Sequence, residues 1–178
     1  KKEDDDKNVY LVSSSSIEPF MGTLYDFAES GTFPSVTSAT ITDVKVDKEN
    51  SYELTQDADN LFWNVSDGKT TEKADTTKAG TVTSAIGSLA YDKFVDYNCT
   101  DDSKYGFDDP YAVITVKYTE DEQETQTVEK TLTIYVGDET GDDRYVKVDD
   151  SKEVYTITKD SLTDILDSTM ADFYNLTV

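Results

Sequence analysis

The sequence predicts an α+β protein: an antiparallel β-sheet of meander and hairpins, amphipathic helices packed on one face, and a partial strand–helix internal repeat. Residues 111–118 and 130–136 alternate apolar and polar side chains, which is typical of the two half-buried strands of a hairpin. Residues 77–90 and the segment after Ser161 instead place apolar side chains at helical spacing. We therefore expect a sheet and helices to share one core.

The first expected elements are a strand at residues 9–12 and a helix that begins after Ser16. The strand segment is β-branched and aromatic, and Ser16 is the expected N-cap of the helix. Pro19 falls in the first helical turn, where its missing N–H costs nothing, and Gly31 ends the unit. The apolar face of this helix consists of Ile17, Phe20, Met21, Leu24 and Phe27.

Three short strands at residues 40–46, 51–54 and 61–65 are expected to form an antiparallel meander, because turn residues separate them. Residues 69–78 are polar and predict a loop. A helix follows from about Thr77, although two glycines in it each cost about 1 kcal/mol relative to Ala. Its apolar face consists of Val82, Ala85, Ile86, Leu89 and Ala90.

The second half of the chain holds the strongest strand patterns. We expect a short strand at residues 93–97, a loop at 101–110, and then the long hairpin, whose exposed tip is the glutamate-rich segment 119–126. Two more strands are expected at residues 145–148 and 154–157. In the last helix, capped by Ser161, one face is formed by Leu162, Ile165, Leu166, Met170 and Phe173.

A strand pattern followed by a helix pattern occurs twice in the sequence. One constant offset carries Asp4–Tyr10 onto Asp149–Tyr155 and Ser16 onto Ser161. The same offset places three apolar helix residues on three others, namely Ile17 on Leu162, Phe20 on Ile165 and Met21 on Leu166. We predict that residues 1–37 are the strand–helix tail of an upstream repeat unit, packed with the rest, and that residues 38–178 form a complete unit.

The charge of the chain restricts its partners. Sixteen basic and 38 acidic side chains give a formal charge of −22 over 178 residues. Such a surface repels nucleic acid phosphates and anionic lipid headgroups, so we expect no nucleic acid partner. Calcium, cationic ligands and basic protein surfaces remain electrostatically compatible with it.

The absence of histidine and the single cysteine exclude several chemistries. Neither a Ser-His-Asp nor a Cys-His nucleophile system can be assembled without histidine. Cys99 has no second cysteine with which to form a disulfide or a zinc site, and we expect it to be a small buried side chain. No cofactor is predicted.

The sequence contains no run of 18 apolar residues, so we expect membrane attachment only through an anchor outside this chain. The residues from Lys1 to Lys7 lack the apolar core of an export signal and run directly into a strand pattern. Any signal or anchor is therefore expected upstream of Lys1.

Several residues along the chain form a pattern that can be recognised by their order and spacing. Trp63 closes the meander, Ala74-Asp75 precedes a helix, Tyr105-Gly106-Phe107-Asp108-Asp109-Pro110 precedes the hairpin, a strand ends in Gly137, and Tyr145 and Tyr155 follow. In order and spacing these residues resemble the bacterial family called domain of unknown function 4340, over about residues 38–170. Phe107 stands where that family usually has leucine.

The resemblance implies an exported, membrane-anchored protein encoded beside ABC-transporter components and related to gliding-motility auxiliary proteins. It implies no catalytic residue, because the family offers none to transfer. Physically, Gly106 is expected to take a backbone conformation closed to other residues, and Pro110 to fix the entry into the next strand. Tyr105 and Phe107 are expected to pack the loop against the sheet.

Acidic pairs are the main candidates for chemistry. Pairs at 57/59, 101/102, 108/109, 138/139, 142/143 and 149/150 raise the alternative of a carboxylate-dependent glycoside hydrolase, which needs two carboxylates across a cleft. The densest group, Asp138, Glu139, Asp142 and Asp143, is a weak candidate for calcium and raises the alternative of a calcium-stabilised surface module. These side chains lie in predicted turns, so the solvated reading is preferred to both.

We expect a non-enzymatic, extracytoplasmic binding or scaffolding module of a bacterial envelope protein, auxiliary to an ABC transporter. Its partner would be a protein of the cell envelope. This reading predicts a broad surface or a sheet edge suited to a partner rather than a deep pocket of convergent polar groups.

Overall fold

The computed structural model describes residues 11–21, 31–57, 59, 62–121 and 127–174. These ranges form a nine-stranded antiparallel sheet and a few short helices, which confirms the α+β class. The strands are β1 (Ile41–Asp47), β2 (Tyr52–Gln56), β3 (Trp63–Ser66), β4 (Thr71–Lys73), β5 (Lys93–Asp96), β6 (Ala112–Asp121), β7 (Thr127–Thr140), β8 (Asp143–Val148) and β9 (Val154–Thr158). The α-helices are α1 (Ser14–Ile17), α2 (Thr76–Gly87), α3 (Lys159–Leu166) and α4 (Met170–Phe173), and 3₁₀ turns span Glu18–Phe20, Ser38–Thr40 and Asp102–Tyr105.

The sheet is open and has the strand order β4-β3-β2-β1-β6-β7-β8-β9-β5. Its centre is the pairing of β1 with β6, which joins the N-terminal meander to the C-terminal hairpins. The two edges are β4 and β5, and β5 reaches its place beside β9 from the middle of the chain. The sheet therefore consists of two sequence-local halves plus one inserted edge strand.

One face of the sheet, here called the inner face, is apolar. Across five neighbouring strands the pairing aligns one apolar residue from each, in the order Val65, Leu54, Val44, Val116 and Leu132. All five side chains are buried in one hydrophobic cluster. Burying each such side chain contributes about 1.5–3 kcal/mol, so this alternation is what drives the sheet to form.

The helices contribute to the same cluster. Leu162 and Ile165 of α3 and Phe173 of α4 are almost fully buried. The hydroxyl of Tyr52 on β2 donates a hydrogen bond to the Ile165 carbonyl at 2.8 Å, and its ring lies 5.0 Å from that of Phe173. Burial raises the pKa of Tyr52, which keeps this hydroxyl protonated. Helix α2 begins at the N-cap Asp75, whose carboxylate accepts two backbone N–H groups.

The strand predictions from residue 40 onward agree with the structure within a few residues, whereas three helix and loop predictions were wrong. The polar loop expected at 69–78 contains the edge strand β4 and the first turn of α2. The single helix expected after Ser161 is two helices, separated at 167–169. The expected N-caps, Ser16 and Ser161, both lie inside helices that begin earlier, because Ser13 and Thr158 occupy the N-cap positions.

The N-terminal predictions are only partly covered. The strand expected at residues 9–12 was wrong for Leu11 and Val12, which lie outside any strand, and residues 9 and 10 fall outside the described ranges. The helix expected after Ser16 is shorter and begins earlier: α1 ends at Ile17, a 3₁₀ turn follows up to Phe20, and Met21 is not helical. Of the hairpin tip expected at 119–126, residues 119–121 belong to β6, and residues 122–126, like residues 22–30, fall outside the described ranges.

Candidate binding surface

The other face of the sheet, here called the outer face, is half covered. The loop that carries the Tyr105-Gly106-Phe107 motif lies over β7 and β8 there. The ring of Tyr105 packs edge-on against Tyr145 at 4.9 Å, and Tyr105, Phe107, Cys99 and Val154 form a second, smaller hydrophobic cluster. These contacts explain why the motif is aromatic, because its rings replace a helix as the cover of this half.

Two glycines allow the loop to approach the sheet. Gly106 has φ +75°, and a Cβ placed on it would lie 2.6 Å from the Asp138 Cγ atom. Gly137 lies at an irregularity in the pairing of β7 with β8, and a Cβ there would overlap the Tyr105 carbonyl oxygen. Any larger residue at either position would push the loop away from the strand.

Polar groups fix the same loop. The Tyr105 hydroxyl donates to the Asp96 carboxylate of β5 at 2.9 Å. The Asn98 backbone N–H, together with Tyr105 and Lys104, holds the pKa of Asp96 below its usual range. Lys147 of β8 pairs with Asp102 at 2.6 Å. The loop is thus attached by ion pairs at both ends of its 3₁₀ turn.

The remaining motif residues occupy structural positions. Trp63 is buried at the start of β3, where its carbonyl accepts the Ala74 N–H at 2.8 Å. Tyr155 of β9 stacks on Tyr91 at 3.8 Å between ring centroids. Pro110 lies two residues before β6 begins, at the exit of the aromatic loop.

In the part of the chain that the structure describes, no loop or helix covers the other half of the outer face, here called the outer strip. It consists of two rows of polar side chains across β3, β2, β1, β6 and β7. One row is Asn64, Thr55, Asp43, Lys117 and Thr131, and the other is Ser66, Glu53, Lys45, Thr115 and Thr133. Lys117 pairs with Asp43 across strands at 3.6 Å. The strip presents both signs of charge on a broad face, although the chain as a whole is strongly acidic.

The strip ends at an open strand edge. The ladder between β7 and β8 stops at Thr133, where the Asp149 N–H donates to the Thr133 carbonyl and the Asp149 carboxylate accepts the Thr133 N–H, both at 2.8 Å. Because strand groups alternate, the N–H and C=O groups of Thr127, Glu129 and Thr131 point the same way as those of Thr133. Within the described part of the chain, no strand pairs with β7 on that side of 127–131.

A small cleft lies on the other side of the sheet, beside α3. It encloses about 200 Å³ between Tyr111, Arg144, Glu139, Lys159 and Leu166, among others. The Arg144 guanidinium lies 3.6 Å from the centroid of the Tyr111 ring and bonds the Glu139 carboxylate at 2.7 Å. Lys159 approaches the second oxygen of Glu139 at 3.3 Å. Arg144, Lys159 and Glu139 thus form one ion-paired group in this cleft, which Asp167 also lines.

The four acidic residues considered as calcium ligands do not share a common site. Glu139 faces Arg144 and Lys159, whereas Asp143 is buried against Lys93 at 2.8 Å and Thr156 at 3.3 Å. The Lys93 ammonium lowers the pKa of Asp143. Asp138 lies against Gly106, and Asp142 is exposed. In the ranges that the structure describes, no group of three or more Asp, Glu, Cys or His side chains could hold a metal ion.

The other acidic pairs cap turns or pair with lysine. Asp101 accepts the Ser103 N–H at the start of its 3₁₀ turn, Asp102 pairs with Lys147, and Asp149 holds Thr133. A general acid needs a raised pKa. The carboxyl groups with a clear shift in the described residues, Asp67, Asp96, Asp143 and Asp172, all have a lowered pKa.

The basic residues that pair with these carboxylates were not predicted from the sequence. Arg144 is the only arginine in the sequence, and this rarity could have marked it as a candidate. Lys147 and Lys93 sit on predicted strands, but their partners lie 45 and 50 residues away. Their pairing follows from the sheet order, which the sequence does not show.

The described residues define a class: an α+β protein built on one open antiparallel sheet, whose outer face is half covered by a loop. The chain belongs to the family described as Domain of unknown function (DUF4340), whose model matches residues 1–110 and residues 63–178. The resemblance drawn from the sequence is therefore confirmed. The comparisons found no matching curated protein and no matching solved structure. No helix in the described ranges has the length and apolarity needed to cross a membrane.

Proposed function

We propose that this chain is a non-enzymatic, extracytoplasmic binding or scaffolding module of a bacterial envelope protein, auxiliary to an ABC transporter. Its contact surface is the open edge of β7 together with the adjoining outer strip. The partner is a protein that adds an extended segment to this edge. The envelope location and the transporter association are supported by the family resemblance alone.

The open edge of β7 is the observation that carries the proposal. Five residues, 127–131, offer one row of N–H and C=O groups over about 17 Å, which is the length of an ordinary strand. Exposed strand edges pair readily with other chains, and peptide recognition by strand addition uses this property. Thr127, Glu129 and Thr131 are exposed, so none of the residues that the structure describes buries their side chains.

The charge around this edge favours a basic partner segment. Glu129 lies on the open edge itself and is exposed, whereas Glu120 and Asp121 lie on β6, at the other side of β7, where Lys130 pairs with Glu120. A lysine or arginine opposite Glu129 in an added strand would face its carboxylate. Opposite charges across such pairs speed association and select the partner more than they raise affinity.

In-cell photo-crosslinking tests the proposal. A photoreactive phenylalanine analogue replaces Glu129 in the protein as the bacterium makes it, and the matched control carries the analogue at Ser84, an exposed residue of α2. We expect a discrete adduct from position 129 that is absent from position 84. Adding Thr131→Pro removes one outward N–H without changing charge, and we expect it to abolish the adduct.

Three results would contradict strand addition at β7. One is equal crosslinking from both positions. Another is the absence of any adduct from position 129. A third is an adduct that survives Thr131→Pro, because a partner that pairs with this edge needs the outward N–H groups. Urea unfolding of Thr131→Pro checks that the fold persists, as the ladder between β6 and β7 does not use this N–H.

A further inference from the structure

The segment at residues 11–21 exposes an unusual number of apolar side chains. Five of its eleven residues are large, apolar and exposed: Leu11 fully, Phe20 by 80%, Met21 by 74%, Val12 by 59% and Ile17 by 42%. Single exposed apolar residues are ordinary, but a contiguous group marks a surface that packs against something.

The backbone of this segment matches that of α3. The constant offset found in the sequence carries the N-cap Ser13 onto the N-cap Thr158, and their φ/ψ angles are −60°/138° and −63°/141°. The same offset carries α1 onto the first four residues of α3. The likeness ends there, because residues 18–20 form a 3₁₀ turn whereas α3 continues as an α-helix to Leu166.

The two copies differ in burial. Leu162, Ile165 and Leu166 of α3 are exposed by 1%, 0% and 5% respectively, because they pack on the inner face of the sheet. Their counterparts Ile17, Phe20 and Met21 are exposed by 42%, 80% and 74%. The residues before the helices differ likewise: Thr156 and Ile157 of β9 are buried, whereas Leu11 and Val12 are exposed.

The sheet of this chain cannot cover α1 in the way that it covers α3. Its inner face is already packed against α3, Phe173 of α4 and the buried residues of α2 in one cluster. Repeated apolar spacing on an equivalent backbone calls for an equivalent surface, namely the inner face of another antiparallel sheet.

We propose that Ile17, Phe20 and Met21 pack on the inner face of a second sheet of this same fold, in a unit that lies N-terminal to this one in the same polypeptide. Leu11 and Val12 belong to that sheet's last strand, in the position that Thr156 and Ile157 hold in β9. Residues 11–21 thus complete the preceding unit, and the chain from residue 31 onward forms the next. This inference does not depend on the proposed partner at β7.

Paired measurements on two proteins test this inference. The double variant Phe20→Ala, Met21→Ala is made both in the chain of residues 1–178 and in the whole gene product. We expect no change in the Tm of the 1–178 chain and a fall of about 5–10 °C in one transition of the whole product, because two buried side chains would lose their contacts there. Leu162→Ala, Ile165→Ala is the matched control and should lower Tm in both proteins.

Three outcomes would overturn the proposal. If the Phe20 and Met21 variant leaves both proteins unchanged, nothing covers this helix face. If it lowers Tm in both, α1 packs on the unit described here. If sedimentation shows that the 1–178 chain forms a dimer that the variant abolishes, the occupant is a second copy of the chain.

Discussion

Asp149 ends the ladder between β7 and β8 by holding both backbone groups of Thr133, with two hydrogen bonds of 2.8 Å. Asp149 has φ +47°, a left-handed conformation that aspartate tolerates better than most residues. One side chain thus occupies the place of a neighbouring strand, and no strand of the described ranges pairs with the edge of β7 beyond it. This geometry leads to the first prediction.

Replacing Asp149 by Ala should destabilise the protein by about 1–2 kcal/mol, because it removes one hydrogen bond and places Ala in a left-handed conformation. Asp149→Asn keeps an acceptor oxygen and tolerates the same conformation, so its effect should stay within about 0.5 kcal/mol. Urea unfolding followed by the fluorescence of Trp63, the only tryptophan, measures both. Equal losses in the two variants would mean that the side-chain acceptor does not matter.

Replacing glycine by alanine should lower the stability of the protein in β7 and raise it in α2. Gly137→Ala should cost about 3 kcal/mol, because its Cβ would overlap the Tyr105 carbonyl and force the aromatic loop off the sheet. Gly80→Ala should instead stabilise the protein by about 0.5–1 kcal/mol, since no atom lies within 4 Å of its Cβ position and α2 gains propensity. Thermal unfolding of the two variants decides the matter, and a neutral Gly137→Ala would exclude tight loop packing.

Alanine substitutions at Leu166, in the core, and at Asp142, in an acidic turn, should differ in their effect on stability. Leu166→Ala should cost about 2–5 kcal/mol, because the side chain is buried in the main cluster. Asp142→Ala should stay within about 0.5 kcal/mol, because the residue is exposed. The reverse ranking in chemical denaturation would show that the acidic turn is a site after all.

Ionisation of the Asp96 carboxylate should make the free energy of unfolding depend on pH. Its pKa in the folded protein lies below its unfolded value of about 3.9, so its contribution is complete above that pH and is lost as pH falls through the folded pKa. The free energy of unfolding of the wild type minus that of Asp96→Asn should therefore be positive at pH 6 and shrink toward zero near pH 2. A difference that does not vary with pH would show that ionisation of Asp96 contributes nothing.

The proposed extracytoplasmic location predicts a labelling result. Cys99 is buried, so an added cysteine at the exposed residue Ser84 gives the principal reactive thiol. In intact bacteria, Ser84→Cys should react with a membrane-impermeant maleimide, and the unsubstituted protein should not. Labelling of Ser84→Cys only after the cells are broken would place the domain in the cytoplasm.

Most strands could be predicted from the sequence because each has one buried face. Val44 and Val46 alternate with Asp43 and Lys45, and this period reports burial directly. Strand β4 could not be found in this way, since all three of its residues are exposed. The start of α3 was misplaced because Thr158 and Ser161 are both good N-caps, and only the backbone distinguishes them.

The candidate surface was less predictable than the fold. The motif around Tyr105 and Gly106 stands out in the sequence, but Gly137 lies directly beneath it only because β7 and the loop meet in space. The open edge depends on where β8 stops pairing, which follows from Asp149 and not from any feature of residues 127–131. The alternation of apolar and polar residues indicates which side of a strand faces solvent, but not which strands become neighbours in the sheet.

The position of β5 has a consequence for how the protein folds. This strand is made before β6, yet its neighbour β9 lies about 60 residues further along, and β1 pairs with β6 across about 70 residues. Such long-range pairing predicts folding over milliseconds to seconds. The β5 edge cannot be completed before β9 has been synthesised, whereas the β4 edge belongs to the sequence-local meander β1–β4 and can form earlier.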